Sequence, residues 1–265
     1  MPTQQINGFA MSYRDEGDGE PVVLIHGFPL SSRIFDAQAD VLRKSHRVIT
    51  PDLRGFGLSH NIDRFTINSL ADDVHELLGK LGARPCVLGG LSMGGYVAQS
   101  LVRDHPSDVT KLILLNTKAE GDSPAARAGR NKMIELCRKS GSAAVAKEML
   151  PKMLAKVTLE KNPALVETVV KMMEDTSALT IQHALEALRD RDDQNQFIGT
   201  IRIPTLLITG DGDALTGPDV MEPVHKAIIG SKYVVISNAG HLSTMENQSA
   251  VTAQMQSFLN EKMNS

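Results

Sequence analysis

The chain has 265 residues, 42% of them hydrophobic, which is enough to bury a full core as one large domain or as a domain with an insertion. Its net charge of -3 leaves no basic footprint for nucleic acid and no polybasic patch for a membrane surface, so chemistry on a small molecule is the default expectation. Residues 1–19 lack a basic segment followed by an apolar one, and no apolar run nears the roughly 18 residues of a membrane span, which predicts a cytoplasmic protein.

Residues 5–15 read as an antiparallel ribbon at one edge of a sheet. Short runs rich in Val, Ile and Leu then follow at 22–27 (VVLIHG), 47–52 (RVITPD), 85–90 (PCVLGG), 111–116 (KLILLN), 205–211 (TLLITGD) and 232–237 (KYVVIS). All six are predicted as strands buried on both faces. Between most of them lie amphipathic stretches such as 69–81, where Leu70, Val74, Leu77, Leu78 and Leu81 recur at helical spacing. Strand alternating with helix predicts an α/β fold: a mostly parallel central sheet, helices on both faces, and right-handed crossovers.

From 117 to 194 that rhythm stops. Helical patterns succeed one another at 124–139, 142–155, 162–175 and 177–190, over a length no loop in a compact domain would have. The expected organisation is a core domain of residues 1–117 and 195–265, interrupted by an all-helical cap at 118–194 that covers the strand ends. Cys86 and Cys137 stand in apolar contexts without metal-ligand spacing, which predicts packed thiols rather than a disulfide or zinc site. No metal and no cofactor are expected.

Chemistry in an open α/β sheet collects at the carboxyl ends of the strands. Just after one of them, GGLSMGG (89–95) sets a lone serine, Ser92, between Gly90 and Gly94. The pattern Gly-x-Ser-x-Gly arises by chance in roughly one chain in ten of this length, so it needs partners before it carries weight. Placed between a strand and the helical pattern 93–104, Ser92 would occupy a sharp turn in which side chains two residues to either side would collide with backbone. A serine hydroxyl also needs a base, usually a histidine held by a carboxylate. Of the eight histidines, His241 follows the last strand, whereas His46, His60, His75, His105, His183 and His225 lie in helices or connections. The carboxylate would come from GDGDALTGP, where Asp211 and Asp213 both qualify; Asp213 stands further into the loop and can reach His241, while Asp211 suits the turn itself. Two backbone amides are placed to face a developing oxyanion, Phe28 in the HGFPL loop and Met93 at the start of the helix after the serine. His26, in the same loop, is expected to serve as a structural hydrogen-bonding group.

Across nearly its whole length the sequence resembles the α/β-hydrolase superfamily, through HGFPL (26–30), PDLRGFGLS (51–59), GLSMGG (90–95), GDGDALTGP (210–218) and AGH (239–241). Within it the chain is similar to capped bacterial esterases and lactonases grouped with 3-oxoadipate enol-lactonases. The resemblance implies Ser92 as nucleophile, Asp213 as acid, His241 as base, and Phe28 with Met93 as oxyanion donors. Members usually carry Pro directly after the Thr of the acid loop, whereas Gly217 here separates Thr216 from Pro218. Relatives that open epoxides or remove halide use an aspartate nucleophile, which Ser92 argues against.

The expected activity is hydrolysis of a carboxylic ester or lactone through an acyl-enzyme, on a small to medium apolar acyl substrate. Met133, Met149, Met153, Met172 and Met173 are adaptable side chains suited to the roof of such a pocket. Arg130 shares a helix face with Ala126, Met133 and Cys137; there it would either snorkel to solvent, the expected arrangement, or read a substrate carboxylate. The alternatives are an enol-lactonase-like or carbon–carbon bond hydrolase, and a small-ligand receptor that keeps the triad. Rapid multiple turnover of an activated ester separates an enzyme from such a receptor.

Overall fold

The computed structural model describes residues 1–261. The predicted ribbon is a hairpin, β1 (Thr3–Ile6) and β2 (Phe9–Glu16), and the six apolar runs form β3 (Pro21–Ile25), β4 (Arg47–Pro51), β5 (Cys86–Leu91), β6 (Val109–Leu115), β7 (Thr205–Gly210) and β8 (Lys232–Ile236). They build one sheet in the order β1-β2-β4-β3-β5-β6-β7-β8. The pairs β1/β2 and β2/β4 are antiparallel, and every pair from β4 onward is parallel.

Helices α1 (Asp36–Leu42), α2 (Ile67–Lys80) and α3 (Met93–Asp104) alternate with the first strands. Alternation along each strand then sorts the core into two layers. In β3, Val23 and Ile25 pack with Leu70, Val74, Val97 and Leu101 of α2 and α3. Val22 and Leu24 turn the other way, into the cluster that holds Ala39 and Leu42 of α1. Because both faces are covered, the strand interiors read as continuous apolar runs.

The last strand departs from that expectation. Lys232 and Val235 of β8 are exposed, because β8 ends the sheet with β7 on one side only and solvent reaches past its covering helices. An exposed lysine on such an edge discourages pairing with a second sheet.

Between β6 and β7 lie α4 (Pro124–Met153), α5 (Lys156–Lys161), α6 (Pro163–Glu174), α7 (Ala178–Arg189) and the short α8 (Asn195–Ile198). The first two predicted helices meet within α4 at a kink at Gly141, whose φ of 76° and ψ of -173° are not helical and separate one helix from the next. Ser123, Asn162 and Ser177 cap α4, α6 and α7 with side-chain oxygens that accept from Ala126 N, Leu165 N and Thr180 N. After β7 the chain completes α9 (Pro218–Ala227), α10 (Ser243–Glu246) and α11 (Gln248–Leu259). Among the described residues no helix is long and apolar enough to cross a membrane.

The strand order reverses at β3, where the chain leaves toward β4 on one side and later returns as β5 on the other. Loops leaving β3 and β5 therefore diverge and open a crevice at their carboxyl ends. Gly94 of α3 lies so close to this point that an added Cβ would run into the Ile25 carbonyl. Gly94→Ala is expected to lose about 2 kcal/mol or more by overpacking, whereas Gly129→Ala, exposed in α4 with open space around it, should gain about 0.5–1 kcal/mol. Urea melts of the two variants check the contrast, and equal stabilities would contradict this account of the crossing.

Candidate active site

Ser92 sits between β5 and α3 with φ 54° and ψ -113°, a conformation L-residues adopt only under constraint. The constraint is visible in its hydrogen bonds: Ser92 N donates to Leu115 O at 2.9 Å, and Thr117 Oγ1 donates to Ser92 O at 2.9 Å. The turn is pinned to the end of β6. A Cβ on Gly90 would strike the Gly94 carbonyl, and one on Gly95 would come within 2.5 Å of Thr117 Oγ1. Thus Gly95, which the motif itself does not require, is needed here as well.

Asp213 and His241 are brought together from the loops after β7 and β8. Nδ1 of His241 lies 3.0 Å from Asp213 Oδ2 and 3.2 Å from Oδ1, so the imidazole donates there and leaves Nε2 as its free acceptor. Asp213 also accepts from Leu215 N (2.8 Å), Thr216 N (3.0 Å), Thr216 Oγ1 (2.7 Å) and Asn116 Nδ2 (2.8 Å). Burial alone would raise its pKa; the charge and hydrogen bond of His241, then the Asn116 and Thr216 donors, outweigh that and hold the carboxyl well below the usual range. Asp211 is exposed and, among the described residues, its side chain accepts only from Ala239 N, at 3.3 Å, in the turn-forming role expected of it.

Asn116 was not singled out from the sequence, although it directly follows a strand. It takes a positive φ of 44°, donates to Asp213 and to Gly240 O (3.2 Å), and accepts from Ser243 Oγ (2.6 Å). It therefore joins the loops that carry both partners. Glu246 performs a similar task from α10: Oε1 accepts from Gly240 N (2.8 Å), while Oε2 accepts from Ala155 N and Thr158 Oγ1 (both 2.7 Å). The His241 loop is thereby tied to the segment joining α4 and α5. Burial pushes Glu246 upward in pKa despite those donors.

Among the described residues Phe28 N and Met93 N donate to no acceptor, and Met93 opens α3, where the amides of a first helical turn lack intrahelical partners. His26 is wholly buried; its Nε2 accepts from Leu53 N at 3.0 Å and its Nδ1 contacts Gly27 O at 3.0 Å, an arrangement that binds the 26–30 loop to the 51–59 loop. Burial lowers its pKa toward the neutral form this bonding uses. Asp52 completes the clamp, accepting from Ser32 N (2.8 Å) and Leu58 N (2.9 Å).

Ser92 and His241 line one cavity of about 400 Å³, together with Phe28, Tyr96, Thr216 and Leu215. No Ser92–His241 hydrogen bond is formed, and such contacts commonly close only around a substrate. The helices between β6 and β7 supply Arg130, Met133, Met149, Met153, Leu185 and Leu188. Met172 does not reach it: buried on α6, it accepts at Sδ from Ser31 N and faces a separate recess with Arg33 and Ile34. Helical spacing defines the apolar stripe of α6 but not which cavity that stripe meets. Arg130, expected at the solvent, instead lines the cavity, because Asp122, 1% exposed, holds its Nε at 3.0 Å. Lys118, two residues past Asn116, lines it too and was not foreseen.

Among the described residues, His75, His105 and Asp108 alone are close enough to share an ion. The imidazoles are stacked at 3.6 Å with planes 9° apart, so their in-plane lone pairs cannot converge on one atom. Arg84 Nη1 already lies 3.3 Å from Asp108 Oδ2 and against the His75 ring. This cluster is suited to packing a surface ion pair, not to holding a metal.

Because Asp213 titrates lower when folded, its stabilising contribution is complete above its unfolded pKa of about 3.9 and is lost as pH falls through the folded value. Wild type is expected to exceed Asp213→Asn in stability at pH 7 by a margin that shrinks below about pH 4. Denaturant titrations across that range test it; a margin constant from pH 7 to the acid limit would contradict the network described.

The model of the alpha/beta hydrolase fold matches residues 20–248. The chain is 30% identical over 258 residues to the AB hydrolase superfamily protein YisY of Bacillus subtilis, covering 93% of this chain and 94% of that protein. It is similar to a thermophilic esterase from Thermogutta terrifontis, solved with malate bound, at 36% identity and a TM-score of 0.94, with 98% of each chain covered. The enol-lactonase from Burkholderia xenovorans LB400 is 28% identical with a TM-score of 0.92, covering 98% of this chain and all of that one (100%). The sheet order, the Ser92 turn and these similarities converge, and the chain belongs to the α/β-hydrolase family.

Proposed function

We propose that this chain is a serine hydrolase of carboxylic esters or lactones acting through an acyl-enzyme. The observation that carries the reading is the meeting, at one cavity, of Ser92 on its constrained turn with a His241 whose Nδ1 is committed to Asp213. Nε2 of His241 takes the Ser92 proton as Oγ attacks the substrate carbonyl carbon. The oxyanion that forms is met by the unpaired amides of Phe28 and Met93. When the carbonyl re-forms, the alcohol leaves with the proton held on His241. Water, deprotonated by the same imidazole, then attacks the acyl-enzyme, releasing the acid and restoring Ser92. Asp213, fixed by five donors, keeps the imidazole in the tautomer this sequence of transfers needs. No metal or cofactor takes part in the mechanism.

On this reading residues 118–194 act as a cap over a core of residues 1–117 and 195–265. Met133, Met149, Met153, Leu185 and Leu188 would receive the apolar part of the substrate and exclude water from the acylation site. The esterase and enol-lactonase similarities support the reaction class.

Ser92→Ala is expected to lower p-nitrophenyl ester turnover by on the order of 10⁴-fold while remaining folded. A fluorophosphonate probe should label Ser92 alone, and mass spectrometry placing the adduct on another serine would refute the assignment. Asp213→Asn is expected to reduce kcat far more than Asp211→Asn; the reverse order would move the acid role to Asp211.

A further inference from the structure

The uncharged polar side chains on the Ser92 cavity have assigned tasks, with one exception. Ser92 and His241 belong to the proposed reaction, and Thr216 Oγ1 donates to Asp213 Oδ2 at 2.7 Å. Tyr96 lines the same cavity and is 7% exposed, yet among the described residues its hydroxyl neither donates to nor accepts from any group. Nor is that hydroxyl sealed inside the protein, since the closed-off polar atoms without a partner do not include it; it opens onto the cavity. A phenol that gives up its water on folding and finds no protein partner costs free energy, so a group in the cavity has to complete it.

The ring is held, which gives the hydroxyl a fixed aim. Tyr96 closes the first turn of α3: its N donates to Ser92 O at 3.2 Å, and helical side chains lean toward the helix N-terminus, here toward Ser92. The Arg191 guanidinium lies 4.4 Å from the ring centre and is itself anchored by donation to Asp122 Oδ1 (2.6 Å), Leu188 O (2.6 Å) and Glu120 O (2.7 Å). Burial raises the phenol pKa and keeps the O–H protonated, while the charges of Arg191 and Arg130 oppose that rise and make it a sharper donor. Methionine and leucine side chains line much of the same cavity, and an uncharged oxygen loses far less hydration than an ion on entering such a lining.

We propose that Tyr96 is a specificity-determining residue whose hydroxyl donates to an uncharged oxygen, an ether or a hydroxyl, carried on the acyl chain of an ester or lactone substrate. This inference rests on the reading of Ser92 as nucleophile and narrows the substrate class for that site. The acyl chain is the part that stays on Ser92 through both halves of the reaction, so a fixed donor leaning toward Ser92 acts on it in acylation and deacylation alike. An all-carbon chain of the same length leaves the phenol unpaired against a methylene, and selection works by rejecting it.

The test uses two pairs of p-nitrophenyl esters matched atom for atom, methoxyacetate with butanoate and 3-methoxypropanoate with pentanoate, each rate divided by that ester's hydroxide hydrolysis rate to remove intrinsic reactivity. Wild type should favour the methoxy ester in at least one pair. Tyr96→Phe, which keeps the ring and its Arg191 contact, should lower that methoxy-to-alkyl kcat/KM ratio by about three- to tenfold, the range for one neutral hydrogen bond, with a thermal melt showing that it folds. No methoxy preference in wild type, or a ratio that Tyr96→Phe lowers by less than about threefold in both pairs, overturns the proposal. Titration of Ser92→Ala protein with the methyl ketones corresponding to the four acyl chains, followed by NMR, reads the hydrogen bond without catalysis and separates the two readings. A methoxy preference that disappears on adding Tyr96→Phe, in Ser92→Ala protein that still turns over the esters, keeps the Tyr96 contact and removes the nucleophile; loss of turnover in Ser92→Ala with no methoxy preference does the opposite.

Discussion

The close approach of α3 to strands β3 and β5 is the constraint from which the rest of the site follows. With Gly90 and Gly94 bare, the first turn of α3 packs directly on the Ile25 and His26 carbonyls, and no side chain separates them. That contact forces Ser92 into its left-handed conformation and sets the Met93 amide beside the loop that carries Phe28. It also fixes the site at the reversal of strand order, where diverging loops leave a crevice. His26 and Asp52 hold the loop on the far side with hydrogen bonds to Leu53 N, Ser32 N and Leu58 N.

A second level of organisation is polar. Asp213 is a buried carboxylate, which is costly unless each lone pair is satisfied. Backbone amides, Thr216, Asn116 and His241 satisfy it. Since Asn116 also reaches Gly240 and Ser243, the ends of β6, β7 and β8 are joined in one network, and the orientation of the imidazole depends on all three. Glu246 extends the network outward to Ala155 and Thr158, so the position of the His241 loop and that of the helices above the cavity are mechanically related.

The cavity lining combines fixed charge with apolar side chains. The side chains of Asp122 and Arg191 are nearly inaccessible to solvent, 1% and 2% exposed, and Asp122 also holds the neighbouring Arg130. A buried pair of this kind contributes little net stability and is better understood as a device that sets geometry. Much of the rest of the lining contributed by the helices between β6 and β7 is thioether and aliphatic, and adapts its shape readily.

Local pattern in the sequence determined the six parallel strands, the helical interval between β6 and β7, the Ser92 turn and the loop positions of Asp213 and His241. Each depends on short-range rules: side-chain alternation, helical spacing, glycine sterics and the position of a residue just past a strand. Exposure of β8, the paths of Met172 and Arg130, and the roles of Lys118, Asn116 and Glu246 depend instead on how separate segments pack, through contacts between residues tens of positions apart, such as Asp122 with Arg191, or Glu246 with Ala155. A helix face is legible from spacing because it is a property of one segment. What that face meets, and which buried charge finds a partner, is decided only when separate segments pack, since burial and pairing energies belong to the assembled interior.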